Sequence, residues 1–301
     1  MATTEKIGRF SVSSTAAVAK VKLTLDDPAL YDDREGYDAD FLGDGARVPL
    51  PKLRATHVPV PVKGGGTVLK YHNFSTCQSK SRRVPFYSAC NINGKALKKE
   101  KRSNTWHYDP RIPTKYQIIE ECYGDAADDM FSRGHMTRRE DPVWGRDSKQ
   151  AEADTFCVTN AAPQMQAHNA PIWLGLEDHV LKNAGKAKQR ASVFTGPVLR
   201  KNDPVVHGVK IPIDFWKIVA FIHDDTDSLS AVAYLDGQAD FLPTAEPTFV
   251  WGAYKHMQVP ITRIEKITGL SFGRLRSVDV LAAADATFAF RLNALDELLL
   301  R

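Results

Sequence analysis

One histidine stands among arginines in the stretch FSRGHMTRRED, residues 131 to 141. His135 lies two residues after Arg133 and shortly before the adjacent pair Arg138 and Arg139. Histidine has a reference pKa of about 6.5, so its neutral imidazole can accept a proton from water near neutral pH. Guanidinium groups beside it would attract an anionic phosphate. The stretch therefore suggests a general base aimed at a phosphate, with a solvated basic loop as the plainer alternative.

An amide and a carboxylate farther along the chain have the chemistry of a metal site. The segment APIWLGLEDHVLKNAG has helical apolar spacing, and Pro171 suits its first turn. Asn169 would then lie at the mouth of the helix, and Glu177 would face the same way as Trp173, four residues earlier. Such oxygen ligands suit Mg²⁺, which keeps most of its water, with Mn²⁺ as the alternative ion. Helix capping by Asn169 and simple solvation of Glu177 are the competing interpretations.

Short strands are expected to position these residues. The segment TFCVTNAAPQ, residues 155 to 164, is predicted to be a strand leading into a turn, with FSRGHM paired beside it. The resulting order of strand, strand and helix would hold the histidine opposite a hydrated metal ion. Other strands are predicted from apolar alternation in VLKYHNFST, VPFYSACNIN, ASVFTGPVL, WKIVAFIHD and LSAVAYLDG.

Turns and a tail complete the predicted architecture. NING at 91 to 94 is predicted to be a turn, and DDTDS at 224 to 228 a hairpin connection. The tail SVDVLAAADATFAFRLNALDELLLR is helical in composition. Many strands with few helices indicate an α+β fold with a largely antiparallel sheet. Residues 1 to 66, rich in Asp, Pro and Gly, are expected to form an extended arm on a body that begins near Thr67.

Composition sets limits on the class of protein. The 301 residues are 43% hydrophobic and 25% charged, which suits a globular protein with a sizeable core. The net charge of +4 permits polyanion binding without demanding it. Four cysteines without CxxC spacing argue against a zinc site and for a reduced setting, although two disulfides stay open. No stretch has the roughly 20 apolar residues of a membrane span. We therefore expect a cytoplasmic protein with no membrane partner.

Three motifs together carry a family resemblance. RGHM at 133 to 136, TNAAPQ at 159 to 164 and N-x3-W-x3-ED at 169 to 178 resemble the DNA/RNA non-specific endonuclease family. The similarity includes WHYDPRIP, EDPVWG and SVFTGPVL, and runs from about residue 67 to 270. It implies a ββα-metal (His-Me finger) fold over residues 67 to 301, with a central antiparallel sheet flanked by helices. The implied activity is Mg²⁺-dependent hydrolysis of phosphodiester bonds in DNA and RNA, without preference for the sugar.

The resemblance also implies roles for individual residues. His135 is the general base, Asn169 the only direct protein ligand of the metal, and Glu177 the holder of a metal-bound water. Arg133 acts in catalysis as part of the RGHM motif. Asn160 and Gln164 lie at the floor of the substrate site, and Arg138 and Arg139 bind the substrate phosphates. For Arg138 and Arg139, ion pairing with Glu140 and Asp141 is an equal alternative.

Some positions depart from the family pattern. Ser132 stands where the family usually has Asp, Leu181 where it often has Arg, and Asn104 where an arginine is usual, although Arg102 is close by. These departures motivate a second hypothesis, a catalytically weakened nucleic-acid-binding protein with the nuclease fold. A phosphodiesterase for small nucleotides is a third.

Partners follow from the same reasoning. DNA and RNA are the expected substrates, and the basic runs KSRR at 80 to 83 and KALKKEKR at 95 to 102 are either a solvated face or an extended phosphate track. A general nuclease would endanger its own genome, so an inhibitor or regulatory protein is a further expected partner. A homodimer is the remaining option.

Overall fold

The computed structural model describes residues 21–22, 25–124, 130–165, 184, 188–238, 257–285 and 287–291. Its two described α-helices are α1 (Ser148–Asp154) and α2 (Ile261–Thr268). The described strands, in chain order, are β1 (Val21–Lys22), β2 (Lys52–Leu53), β3 (Leu69–Tyr71), β4 (Phe74–Gln78), β5 (Pro85–Asn93), β6 (Trp106–His107), β7 (Ser132–His135), β8 (Ala161–Gln164), β9 (Arg190–Pro197), β10 (Val205–Val206), β11 (Val209–Lys210), β12 (Asp214–His223), β13 (Ser228–Gly237), β14 (Met257–Gln258), β15 (Leu270–Ser271) and β16 (Phe290–Arg291).

An eight-stranded antiparallel sheet forms the centre of the described structure. Its strand order is β16-β14-β13-β12-β9-β5-β4-β3. The predicted hairpin is confirmed, because β12 pairs with β13 from Asp214 opposite Gly237 to His223 opposite Ser228. The sheet buries both faces: Phe215 and Val219 of β12 pack in one apolar cluster, whereas Trp216 and Ile218 pack in another. Successive side chains of a strand point to opposite faces, so this alternation of apolar residues produces two layers.

A separate antiparallel ribbon carries the RGHM motif. β7 pairs with β8, with Arg133 opposite Pro163, Gly134 opposite Ala162 and His135 opposite Ala161. The predicted pairing of these two segments is therefore confirmed. The order within 155 to 164 is not as predicted, because a 3₁₀ turn at Val158–Asn160 precedes the strand instead of following it. Pro163 lacks an N–H donor, and a short two-stranded ribbon tolerates it because both of its strands are edges.

The segment from residue 25 to 66 has little regular structure and packs against the sheet. Tyr31 and Val60 belong to one apolar cluster, and Val48 to the other. Arg34 forms an ion pair with Asp154 of α1, with 3.2 Å between Nε and Oδ2, and both side chains are buried. β2 pairs with β15, which follows α2. In the described structure, these residues therefore share the core of the body.

Most strand predictions outside the ribbon are confirmed, and two further predictions are wrong. The NING turn begins later, at residue 94, because Asn93 still pairs with Arg190 of β9. The described part of the tail is not helical, because it closes the sheet. There Val280 N donates to Ala231 O over 3.0 Å, and β16 pairs with β14. These tertiary contacts override the helical preference of an alanine-rich segment. The helix predicted from Pro171 lies outside the described residues, except for Ala184.

Two further expectations concern cysteines and membranes. Cys77, Cys90, Cys122 and Cys157 are all buried and form no disulfide. Within the described ranges, no helix has the length and apolar character needed to cross a membrane.

Candidate active site

His135 and Arg133 project from the same face of the ribbon, because they are two residues apart on β7. Ser132 and Gly134 point to the opposite face. Ser132 Oγ donates a hydrogen bond to the backbone carbonyl of Gln164 over 2.8 Å, which closes the end of the ribbon. The serine that replaces the usual aspartate therefore does not face the imidazole.

Aromatic rings surround the imidazole of His135. The Trp106 ring lies 4.7 Å from it between centroids, and the Phe156 ring contacts it edge-on at 5.0 Å. These rings belong to a small apolar cluster with Val158 and Ala161. Nε2 of His135 is buried and has no hydrogen-bond partner in the described structure. The surroundings therefore favour a neutral imidazole whose basic nitrogen lacks a protein partner.

The electrostatics of the site also favour the neutral form of the His135 imidazole. Burial, together with the positive charges of Arg102 and Arg139, lowers the pKa of His135 to about 3. The imidazole is consequently unprotonated at neutral pH. The unprotonated imidazole can accept a proton, but its low pKa makes it a weak base unless a nearby negative charge raises that pKa. The guanidinium groups can stabilise negative charge that develops beside it.

Arg102, Trp106 and Phe156 were not predicted as site residues from the sequence. The Arg102 guanidinium lies over the Phe156 ring at 5.1 Å. Its Nε donates a hydrogen bond to Asn104 Oδ1, and none of the ion pairs among the described residues involves it. The signals were present, because Arg102 ends the KALKKEKR run and Trp106 opens the WHYDPRIP motif. Their proximity to His135 only becomes evident in the fold.

Arg133 is held against the protein more than it is presented to solvent. Its Nη2 donates to the carbonyl of Ile119 over 2.6 Å, and its guanidinium lies over the Tyr123 ring at 4.6 Å. Burial lowers the pKa of Arg133, against the opposing effect of Tyr123 and Glu120. The guanidinium thus forms one wall of the site, beside Trp106.

Arg138 and Arg139 both pair with Glu140. The distances are 3.0 Å from Arg138 Nη2 and 2.5 Å from Arg139 Nη2 to the carboxylate oxygens. Arg139 also lies 3.6 Å from Glu152 and donates to the carbonyl of Glu100 over 3.3 Å. Asp141, the other expected acidic partner, is buried. In the described structure, Arg138 and Arg139 thus form the expected ion pairs with Glu140. Their contact with phosphate stays a prediction.

Asn160 locks the backbone that follows His135. Its Oδ1 accepts from Thr137 N over 2.9 Å, and its Nδ2 donates to the carbonyls of Thr137 and Thr155 over 2.9 and 3.0 Å. Ser88 of β5 adds a hydroxyl contact of 2.5 Å to Thr137, which ties this turn to the central sheet. Asn160 is completely buried, and its expected role at the floor of the substrate site stays a prediction.

Gln164 packs beneath the ribbon, on the face away from His135. A Cβ at Gly134 would lie only 1.9 Å from its Oε1. The Gln164 side chain is buried, and neither polar atom of its amide has a hydrogen-bond partner in the structure described. It therefore contacts the motif glycine and supports the strand from below. The sequence-based expectation of a substrate contact at Gln164 stays a prediction.

The WHYDPRIP motif serves as a buried scaffold for the site. Asp109 accepts from Arg111 Nη2 and from the Tyr71 hydroxyl, each over 2.6 Å. Tyr71 also contacts the Thr159 hydroxyl at 2.5 Å, next to Asn160. Since Tyr71 belongs to β3, this network attaches the 3₁₀ turn before β8 to the central sheet.

The predicted metal residues Asn169 and Glu177 lie outside the described residues, as does Leu181. Within the described part of the chain, no group of three or more His, Cys, Asp or Glu side chains is placed to hold a metal ion. Nε2 of His135 likewise has no hydrogen-bond partner among the described residues.

Comparison with known proteins finds relatives, two of which are named as nucleases. The chain is 38% identical over 283 residues to the uncharacterized protein y4fB of Sinorhizobium fredii, covering 86% of this chain and 41% of that protein. It is 24% identical over 204 residues to a nuclease of Nostoc sp., covering 67% and 71% of the two chains. It is 25% identical over 263 residues to mitochondrial endonuclease G of Bos taurus, covering 75% and 81%. The chain thus spans less than half of the first relative.

A solved structure shares the fold. The similar chain comes from the EndoG/EndoGI complex, described as showing the mechanism of EndoG inhibition. The TM-score is 0.52 at 22% identity, covering 69% of this chain and 86% of that one. The fold is α+β, of the ββα-metal (His-Me finger) nuclease class. The sequence model of the DNA/RNA non-specific endonuclease family matches residues 53 to 278, and the chain belongs to that family.

Proposed function

We propose that this protein is a metal-dependent endonuclease that hydrolyses phosphodiester bonds of DNA and RNA with little preference for sugar or sequence. The observation that carries the proposal is the state of His135: neutral, with a buried and unpartnered Nε2, close to the charges of Arg102 and Arg139. Membership of the family supports the reaction class.

In the proposed reaction, His135 accepts a proton from the attacking water through Nε2. The charges of Arg102 and Arg139 stabilise the negative charge that develops on the phosphate. Arg133 packs beside Trp106, and Asn160 fixes the backbone after His135, so both orient the base. Phosphate and sugar are the same in every nucleotide step, so contacts of this kind favour sequence-tolerant cleavage.

Mg²⁺ is the proposed ion, with Mn²⁺ as the alternative. Asn169 would hold it directly, and Glu177 would orient its water. The bound ion supplies charge neutralisation at the phosphate and at the departing 3′ oxygen. The oxygen chemistry of an amide and a carboxylate suits a hard cation of this kind.

The direct test is digestion of plasmid DNA and ribosomal RNA with Mg²⁺, with EDTA and with the His135→Ala variant. We expect EDTA to stop cleavage of both substrates and His135→Ala to lower the rate by about 10²–10⁴-fold. His207→Ala is the matched control, because His207 is exposed in the turn between β10 and β11. Cleavage that persists in both EDTA and the His135→Ala variant would refute the proposal.

The weakened nucleic-acid-binding protein is separated by the same experiment. It predicts retention of DNA without product, whatever the metal. One observation that motivates this alternative carries less weight, because Ser132 donates a hydrogen bond to the Gln164 carbonyl and faces away from His135. A substrate panel that includes small nucleotide esters separates the phosphodiesterase option.

Partners and location complete the proposal. We propose a protein inhibitor as a regulatory partner, motivated by the inhibitor complex of the similar solved structure. Co-purification of a stoichiometric protein that blocks cleavage would support it. The homodimer and the cytoplasmic location stay predictions, which light scattering and fractionation can check.

A further inference from the structure

The basic run from Lys95 to Arg102 lies on the surface between the central sheet and the candidate active site. It leaves the turn after β5 and ends four residues before β6, whose Trp106 contacts His135. The side chains of four lysines along it are exposed: Lys95, Lys98, Lys99 and Lys101. The catalytic proposal makes no use of these lysines.

The backbone of this run is fixed to the body. Lys98 N donates to the carbonyl of Val143 over 2.8 Å, and Gly145 N donates to the carbonyl of Ala96 over 3.3 Å. Nearer the site, Arg139 Nη1 donates to the carbonyl of Glu100 over 3.3 Å. The lysines therefore extend from an ordered edge whose direction is set by the fold.

The single acid in the run turns away from the lysines. Glu100 Oε1 accepts a hydrogen bond from Ser148 Oγ at the start of α1, over 2.6 Å. None of the ion pairs among the described residues involves Lys95, Lys98, Lys99 or Lys101. Among the residues that the structure describes, the positive charge of these side chains is therefore not neutralised by an ion pair.

The run ends at the active site itself. The Arg102 guanidinium lies over Phe156, and Phe156 contacts His135 edge-on. Lys98 and Arg102 are at most about 14 Å apart along the chain, so the lysines form a row in the sequence that ends at the residue stacked on Phe156. A phosphate at His135 would thus place the neighbouring phosphates of its strand near the row.

We propose that Lys95, Lys98, Lys99 and Lys101 form a phosphate track that binds the nucleic-acid backbone beyond the scissile bond. This rests on the proposed function and adds that substrates long enough to reach the track are favoured over short ones. Flexible ammonium groups in a row suit the repeating charge of a nucleic-acid backbone, because release of counterions rewards each neutralised phosphate. An acidic protein is the other class of partner, and the test separates it.

Binding can be measured without cleavage. In the inactive His135→Ala background, the variant K98E/K99E/K101E is compared with K52E/K201E/K266E, which has the same change in net charge at exposed lysines on other elements. Fluorescence anisotropy with labelled duplexes of about 10 and about 40 base pairs is recorded between about 50 and 200 mM salt. Thermal melting verifies that each variant is folded.

We expect the track variant to bind the longer duplex about tenfold more weakly, and its salt dependence to fall by about two to three ion equivalents. The shorter duplex should lose less affinity, and the control variant should bind like its parent. A milder variant, K98Q/K99Q/K101Q, should show a smaller loss in the same direction, and it replaces the glutamate variant if that one does not fold.

Each outcome decides one question. Equal losses in the track and control variants would show a net-charge effect and overturn the track. Unchanged DNA binding by the track variant would also overturn it, and would leave an acidic protein as the partner of this surface. If the parent with His135 binds duplex but does not cut, the proposed function fails while the binding comparison still stands.

Discussion

The imidazole of His135 meets the Phe156 ring edge-on, with 5.0 Å between the centroids and 89° between the planes. Trp106 covers another side at 4.7 Å, and the residue as a whole is half-buried. A buried imidazolium is disfavoured, since the rings cannot replace its hydration. The aromatic contacts therefore fix the protonation state of the proposed base.

The first prediction concerns stability against pH. The folded pKa of His135, about 3, lies below its reference value of 6.5, so the unfolded chain binds this proton first as pH falls. The contribution of His135 to the free energy of unfolding is therefore fully present above pH 6.5 and is lost as the pH falls towards 3. The slope from this group is at most about 1.4 kcal/mol per pH unit. Urea unfolding from pH 7 to 4 should show a steeper loss in the parent than in His135→Gln. Parallel curves would contradict the pKa shift.

His107 responds in the opposite direction and does not disturb this comparison. Burial disfavours its charge, but Cys157 and the carbonyls of Ala153 and Tyr108 raise its pKa to about 9. Its raised folded pKa contributes stability that is fully present below its unfolded pKa of about 6.5 and is lost as pH rises through about 9. The same His107 is present in parent and variant, so its effect cancels in the difference.

The second prediction tests the contact between Gly134 and Gln164. A Cβ at position 134 would lie 1.9 Å from Oε1 and 2.5 Å from Cγ of Gln164, so that side chain must move. We expect Gly134→Ala to lower the free energy of unfolding by about 1–3 kcal/mol through overpacking. Cleavage should also slow, because the adjacent His135 shifts with the strand.

Removing the clash gives the control. Gln164→Ala alone should be mild, since the amide has no hydrogen bond to lose. The double variant Gly134→Ala with Gln164→Ala should recover most of the lost stability and rate. If the double variant is no better than Gly134→Ala, the contact is not the cause.

The third prediction concerns Asn160. Its replacement by Ala leaves the N–H and carbonyl of Thr137 and the carbonyl of Thr155 without their partner in a buried position. We expect the free energy of unfolding to fall by about 3 kcal/mol, measured by urea titration. Asn202→Ala, at an exposed position, is the control and should match the parent. A loss no larger than that of the control would argue against the proposed lock.

The fourth prediction compares two ion pairs. Arg34 and Asp154 have side chains 7% and 1% exposed, whereas Arg47 and Asp40 are 61% and 63% exposed. Arg34→Met would leave a buried carboxylate without its main counter-charge, and should cost about 3 kcal/mol. Arg47→Met should have no measurable effect, because water screens the exposed pair. Thermal melting of both variants checks this, and similar losses would contradict the argument.

Several features could be predicted from the sequence because they depend on local pattern. Apolar alternation identified β12 and β13, and the polar residues between them identified the hairpin. The pairing of FSRGHM with the TNAAPQ segment was also expected, although its turn and strand came in the opposite order. The helix predicted for the tail was wrong. The backbone of the described tail pairs with Ala231 and β14, which are distant in sequence, and local patterns do not predict such contacts.

The sequence by itself determined which groups are available: an imidazole between arginines, a downstream amide and carboxylate, and a lysine-rich run in a fixed order. Only the tertiary structure decided what surrounds them, including the neutral state of His135, the side to which Ser132 turns and the end of the basic run beside Phe156. The physical reason is that desolvation and Coulomb interactions depend on distance in space, and the residues that set them here come from separate segments of the chain.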